Sequence, residues 1–499
     1  MKAGLILLAG AVTLSSVSLY ADWRSSDAGL SDYEKWKSTT QQEFRNYLDE
    51  NDKAFIGFLK QRWEPVSTED GKPEDVAPKP VAIPEAPPAT APEPVTETKP
   101  APDSEAVPVV TVPVPTPSRI PSDPVSPPVG IPTTTPQGLT ADVSFYGHPL
   151  SLPFTPAMTR AFTDRPSSDN IAAAWEKLAR SDFKPVVSQI KSIQSTLALS
   201  DWASARLVTD YADEVGRDLN SQTMLSWFLL VKLGYDARLA YNDRLYLLMP
   251  ADDDVYGVTY FTLSGQRYYA LPLNGDVRVA GQVYTYGKQH ETASEPLRFK
   301  TPEHFRPAGA NERRILSFNN DGDRVEVSVS YPQEQIHYLD SMPQLNLPRY
   351  PMLDLPDQTR AEISRQLKPL LDGHSEEVAV NRLLNFVQNA FEYQTDEQQF
   401  HKENYLYPLE TLHYAASDCE DRAALFSLLV HDLLGLPVVL LDYPGHVAAA
   451  VGFTGEVKGD TLVYNGQRYT VTDPTYINAR AGMTMPEFAS QSPDIVEIF

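Results

Sequence analysis

From about Pro65 to Pro136, prolines crowd in among Val, Thr, Ala and Glu, with almost no aromatic residue between them. Each proline fixes its own backbone angle, removes a hydrogen-bond donor and keeps the preceding residue out of the helical region. The stretch therefore builds no core and reads as an extended polyproline-type spacer, rising about 3.1 Å per residue. It divides a chain of 499 residues into a short N-terminal part and a body long enough for two domains.

The N-terminal part carries two signals. Residues 1–21 hold a lysine and then a short apolar run, the pattern of a secretory signal peptide ending near Ala21, with an uncleaved N-terminal anchor as the alternative, so the expected location is exported, periplasmic or associated with the cell envelope. Segment 22–64 reads as helix. Tyr33, Phe44 and Phe55 form one series and Trp36, Tyr47 and Phe58 another, each with a step of 11 residues. That step is three helical turns, which keeps all six rings on one stripe. A stripe of this kind is buried either on its own chain or on an envelope protein docked along residues 30–63. Residues 65–137 are the linker.

Composition narrows the remaining choices. A net charge of −24 excludes a nucleic-acid partner, because phosphate contacts need a basic surface. No stretch after the leader is long and apolar enough to span a bilayer. Cys419 is the only cysteine, so no disulfide can form within the chain.

The body reads as α+β, with domains at 138–300 and 301–499. In the first, an apolar helix over Asn220–Leu233 stops at Gly234 and short strands follow. The order returns near the end of the chain: Gly234 matches Gly435, and Gly265-Gln266-Arg267-Tyr268 matches Gly466-Gln467-Arg468-Tyr469, both at an offset of 201. This reads as an internal duplication. At the same offset Cys419 faces Asp218, while His446 and Asp473 face Leu245 and Pro272. The first copy thus lacks thiol, imidazole and carboxylate at the matching positions.

In the second copy Ser417-Asp418-Cys419-Glu420-Asp421-Arg422 precedes an apolar run closed by Gly435. Ser417 reads as the helix cap with Glu420 as its partner, which puts Cys419 at the second helical position. Unpaired backbone N–H groups and the helix dipole there favour thiolate. His446 opens a strand after the turn Pro444-Gly445, and Asp473 ends a strand of a hairpin that turns at Asn465-Gly466. A helix start and two strand ends can converge in a sheet packed on the cysteine helix. Imidazole can take the thiol proton and return it to a leaving amine, while a carboxylate fixes the ring's tautomer. The helix over Glu376–Phe391 and a loop over Glu392–Leu412 lead into this site.

Asp418-Cys419-Glu420-Asp421-Arg422, Tyr443-Pro444-Gly445-His446-Val447 and Thr472-Asp473-Pro474-Thr475 together resemble the three core blocks of the transglutaminase-like superfamily, in its bacterial cysteine-peptidase form. The resemblance covers about Glu376 to Ile477, and departs from it at Glu420, where many members have glycine, and at Val447, where an aromatic is usual. It implies a papain-like core with Cys419 as nucleophile, His446 as general base and acid, and Asp473 as the group that orients it. It implies an exported thiol hydrolase of peptide or amide bonds acting through an acyl-enzyme, with a protein or peptide substrate. Within the same superfamily the alternatives are a protein cross-linking acyltransferase and a non-catalytic envelope scaffold. No cofactor or metal is expected: the histidines show no zinc-protease spacing, and Asp252-Asp253-Asp254 and Asn319–Asp323 read as solvated turns.

Overall fold

The computed structural model describes residues 50–67, 138–271, 273, 279, 281–301 and 303–499. The leader, most of the aromatic-striped segment and the spacer from 68 to 137 lie outside the described residues. The chain divides into two units, Met1–Phe55 and Ile56–Phe499. Of the first, residues 50–55 are described and helical.

The second unit begins with the end of that helix. Leu59 and Trp63 are buried, and the Trp63 ring packs on Tyr241 and Tyr286 with centroids 5.2 and 4.7 Å away. Phe58 meets Tyr286 edge-on at 5.7 Å. This end of the aromatic stripe is therefore covered by its own chain. The next residues form a strand, β1 (Glu64–Ser67), two positions of which the sequence had suggested as helix and linker boundary. Pro65 is tolerated because β1 is the edge of its sheet.

A hairpin of Leu139–Phe145 and His148–Phe154 opens the body, and helices over Ser168–Ala179, Lys184–Thr196 and Asp201–Val215 follow. The helix α1 (Leu219–Leu233) is buried on every side from Thr223 to Val231, as its unbroken apolar run requires. Short strands come next: β2 (Arg238–Tyr241), β3 (Leu245–Leu248), β4 (Val255–Tyr256), β5 (Tyr260–Leu263), β6 (Gln266–Tyr269) and β7 (Gln282–Thr285). The order β1-β7-β2-β3 makes one sheet, and β5 with β6 forms a hairpin.

The second half starts with a long hairpin of β8 (Asn311–Asn320) and β9 (Asp323–Pro332), ten residues in each strand. β9 alternates strictly and is legible in the sequence, whereas β8 is not, since its apolar positions are diluted by Asn, Glu and Arg. A two-residue strand, β10 (Gln344–Leu345), pairs back onto β4. Helices α2 (Asp357–Leu371) and α3 (Glu376–Asn389) then cover β9 and β8. The stretch Glu392–Leu412, expected as one loop, instead holds short helices over Asp396–Gln399 and Pro408–His413, and Glu392–Tyr393 pairs in parallel with Ala416–Ser417.

The cysteine helix α4 (Cys419–Leu434) packs on the sheet and on α3, and ends at Gly435 in the left-handed conformation. Its sheet contains β11 (Val438–Tyr443), β12 (His446–Val451), β13 (Thr461–Tyr464), β14 (Gln467–Thr472) and β15 (Asp494–Glu497) in the order β13-β14-β12-β11-β15, antiparallel throughout. Asn465 and Gly466 both take positive φ, which gives the tight turn that joins β13 to β14. Every residue of β12 is buried, because one face meets α4 and the other a cluster that includes Leu441, Ala448, Ala450, Val471 and Phe488. The fold is mixed helix and antiparallel sheet, in agreement with the α+β expectation. No helix among the described residues is long and apolar enough to cross a membrane.

Candidate active site

The helix cap falls one residue later than the sequence suggests. Asp418, not Ser417, is the cap, and its backbone N–H donates to the Asp421 carboxylate at 3.3 Å, so Cys419 is the first helical residue. Ser417 is occupied elsewhere: its hydroxyl accepts from Arg422 Nε at 3.2 Å.

His446 and Asp473 meet as a buried pair. His446 Nε2 lies 2.8 Å from Asp473 Oδ2, and each residue is 2% exposed. The carboxylate is locked from its other side, since Asp473 Oδ1 accepts from the N–H of Thr475 at 2.9 Å and of Tyr476 at 3.1 Å. This is an Asx turn, which explains why an Asp-Pro sequence serves here. With Nε2 engaged by the carboxylate, Nδ1 is the nitrogen left for chemistry. The imidazole lies flat on Phe488, centroids 4.8 Å apart and planes at 18°.

Gln388, on α3, ties this arrangement to the helical layer. Its Nε2 donates to the carbonyls of Asp473, Tyr476 and Ala479 at 3.0, 2.9 and 3.1 Å. Neither Gln388 nor Phe488 carries a signal in the sequence, because their partners are about 85 and 42 residues away in the chain and only the fold joins them. Gln388→Ala leaves three buried carbonyls without this donor and should lower the unfolding free energy by about 1–3 kcal/mol in a urea titration.

The thiol is oriented differently from the expectation. Cys419 is buried, and Sγ donates to Glu420 Oε2 at 3.0 Å, while no hydrogen bond joins it to His446 among the described residues. Burial, then the charges of Glu420 and Asp418, push the thiol well above its usual range, while the Val447 backbone N–H pulls the other way. Burial and neighbouring carboxylates thus outweigh the helix terminus, whose effect is the smaller one. In this conformation the thiol keeps its proton.

Around the thiol lies a set of acidic groups that sequence reasoning missed. Asp396, Asp418 and Asp421 each place an oxygen within 4.8 Å of the others, as do Asp396, Glu403 and Glu420. Asp418 Oδ2 accepts from the Asp396 N–H at 3.2 Å, and Asp421 Oδ1 from the Leu406 N–H at 2.7 Å. Such all-oxygen donor sets suit a hard divalent cation such as calcium or magnesium. The only buried cation at the cluster's edge is Arg422 among the described residues, 1% exposed, whose Nη2 donates to Phe391 O at 3.0 Å. The signal was present in Asp418-x-Glu420-Asp421, but Asp396 and Glu403 join only in three dimensions.

No family model matches this chain, and no curated protein matches it. The reading of the site therefore rests on its own geometry.

The cluster makes stability depend on pH in an unusual direction. Burial, then the Asp418 charge, raises the Asp396 carboxyl from 3.8 to about 8. A carboxyl with a higher value folded than unfolded binds its proton more tightly in the native state, so its contribution is full at low pH and is lost as pH rises. The melting temperature in chelator-containing buffer should fall between about pH 4 and about pH 8, the interval spanned by those two values. Calorimetry showing a rising melting temperature across this interval would contradict the assignment.

Proposed function

We propose that this protein is an exported thiol hydrolase of peptide or amide bonds, working through an acyl-enzyme on Cys419 within a papain-like, transglutaminase-like core. The observation that carries the reading is the buried His446–Asp473 pair at 2.8 Å, set at two strand ends of the sheet that packs on the cysteine helix. A structural histidine needs no carboxylate held by two further N–H groups; a general base that must become positively charged does.

The chemistry follows from the positions. The thiol turns from Glu420 toward Nδ1 of His446 and gives up its proton. The sulfur attacks the carbonyl carbon, and the C–N bond breaks as the imidazolium returns the proton to the leaving amine. Water, deprotonated by the same ring, then releases the acid and restores the thiol. Asp473 holds the Nε2–H and steadies the charged ring, and the backbone N–H of Cys419, at the start of its helix, serves as an oxyanion donor.

The upstream domain is read as a degenerate tandem copy. Three features support this. The offset of 201 carries α1 onto α4 to within one residue, and β5 and β6 onto β13 and β14. It also carries the cross-strand pair Tyr260–Tyr269 onto Thr461–Thr470. Asp218 caps α1 as Asp418 caps α4, so element by element it is Leu219 that stands opposite Cys419, again without a thiol.

The test is cleavage of casein by the full chain with and without added monodansylcadaverine, a primary amine. Free peptides in both conditions, lost in Cys419→Ala, are the expected result. Dansyl incorporation without cleavage would assign the protein to the cross-linking transferases. Neither product would leave the scaffold reading, with the N-terminal helix as the docking element.

A further inference from the structure

The two-residue strand β10 does not belong to the sheet that carries His446. It pairs with β4 of the upstream domain, Gln344 opposite Tyr256 and Leu345 opposite Val255. The residues after it are fastened to the same place. Asn346 Oδ1 accepts from the Tyr256 hydroxyl at 2.6 Å, its Nδ2 donates to Asp253, and Arg349 Nε meets Asp253 Oδ2 at 2.8 Å. Asp253 is buried, so this ion pair is held away from water on one side. The acidic turn that reads as solvated in the sequence is in fact an anchor.

The side chain of Gln344 reaches the loop that precedes the cysteine helix. Its Oε1 accepts the backbone N–H of Tyr405 at 2.8 Å and the hydroxyl of Tyr350 at 3.1 Å. Three consecutive N–H groups of that loop are held in turn: Asn404 by Asp396 Oδ2 at 2.7 Å, Tyr405 by Gln344, and Leu406 by Asp421 Oδ1 at 2.7 Å. Two of these acceptors belong to the acidic cluster and the third comes from the segment fastened to β4. The loop also brings the Glu403 carboxylate within 4.8 Å of Glu420, the group that takes the thiol's hydrogen bond. The Tyr350 ring meets Tyr405 at 5.4 Å and Tyr407 at 4.6 Å, which backs the loop from behind.

We propose that residues 400–407 form the wall that closes over Cys419, and that Gln344 is the positioning residue that sets this wall, which makes the upstream domain a working part of the site. A neutral amide suits this place. A carboxylate could accept the same N–H, but would add another negative charge beside Asp396, Asp418, Glu420 and Asp421, where charge is already costly. The assignment explains why a domain without thiol or imidazole at the positions matching Cys419 and His446 is joined to the catalytic one through a strand pair rather than a free linker. Its effect on catalysis rests on the hydrolase reading above, but its effect on access to the thiol does not.

Because Cys419 is the only cysteine, its alkylation by iodoacetamide reports the loop directly. The experiment compares the full chain with Gln344→Ala, Gln344→Glu and Arg349→Ala, each also in a His446→Ala background, and follows every rate into sub-denaturing urea. Losing this part-buried hydrogen bond should raise the open population, and hence the alkylation rate, about fivefold to tenfold in Gln344→Ala, by a local opening whose rate does not change with sub-denaturing urea. Gln344→Glu keeps the acceptor but adds a charge beside the acidic cluster, so its rate should lie between those of the parent and Gln344→Ala, and Arg349→Ala should show a smaller rise of the same sign. The rise should persist without His446, because it reflects access and not activation. Casein cleavage should lose a similar factor, mainly through KM. Alkylation at the parental rate in both Gln344→Ala and Arg349→Ala overturns the proposal. So does a rise that steepens with sub-denaturing urea as strongly as global unfolding does, which would mean global opening. A rise in alkylation with no cleavage by the parent would keep the loop assignment and overturn the hydrolase reading instead.

Discussion

His446→Ala should lower amide-bond cleavage by a factor on the order of 10⁴ to 10⁶, close to the loss caused by Cys419→Ala. The reason is that the two act as one unit. Glu420 accepts the thiol's hydrogen bond but strengthens its hold on the proton, so without imidazole nothing draws that proton off. Cleavage in the double variant should therefore be no slower than in either single one. Asp473→Asn separates orientation from charge. An amide oxygen can still accept from Thr475 and Tyr476, but it cannot steady a charged ring on Nε2. Its rate should fall by about 10⁴ while its melting temperature stays near the parental value. A purely structural histidine would show the reverse pattern, a stability loss with no selective loss of rate.

The second large effect is on folding. Arg422→Ala should destabilise the protein by about 3–5 kcal/mol, because it leaves Asp418 and Asp421 buried without the buried guanidinium at their edge. Burial lowers the guanidinium's own hold on its proton, and Tyr393, Asp418 and Asp421 offset that. Arg422→Met restores the volume but not the charge or the donated hydrogen bonds to Ser417 and Phe391, so it should recover little. Urea unfolding of the three proteins at pH 7 checks this. A Met variant as stable as the parent would mean that packing, not charge, holds Arg422 in place.

What the sequence makes legible here is what local chemistry controls. Gly435 ends α4 because only glycine takes the left-handed cap without cost, and Asn465-Gly466 makes its hairpin turn for the same reason. The meeting of His446 with Asp473 is legible in part, as residues at the ends of β12 and β14, which are neighbours in the sheet. The state of the thiol is not legible. The helix start at Cys419 argues for thiolate, yet Asp396, 23 residues upstream, joins Asp418 and Glu420 in a buried acidic cluster whose field points the other way. Ser417 misleads about the cap because its hydroxyl is taken by Arg422, a partner in the next turn of the same helix. The bond from Gln344 to Tyr405 spans 61 residues and has no periodicity to betray it.

The central claim is that Cys419 carries an acyl group during turnover, and the most direct measurement is the intact mass of the protein after rapid acid quenching of its reaction with p-nitrophenyl acetate. The account predicts an acetyl adduct that forms within the first turnover, maps to the peptide containing Cys419 and is absent from Cys419→Ala and from His446→Ala. Release of p-nitrophenol by the parent with no adduct on Cys419, or at an equal rate by Cys419→Ala, would contradict it.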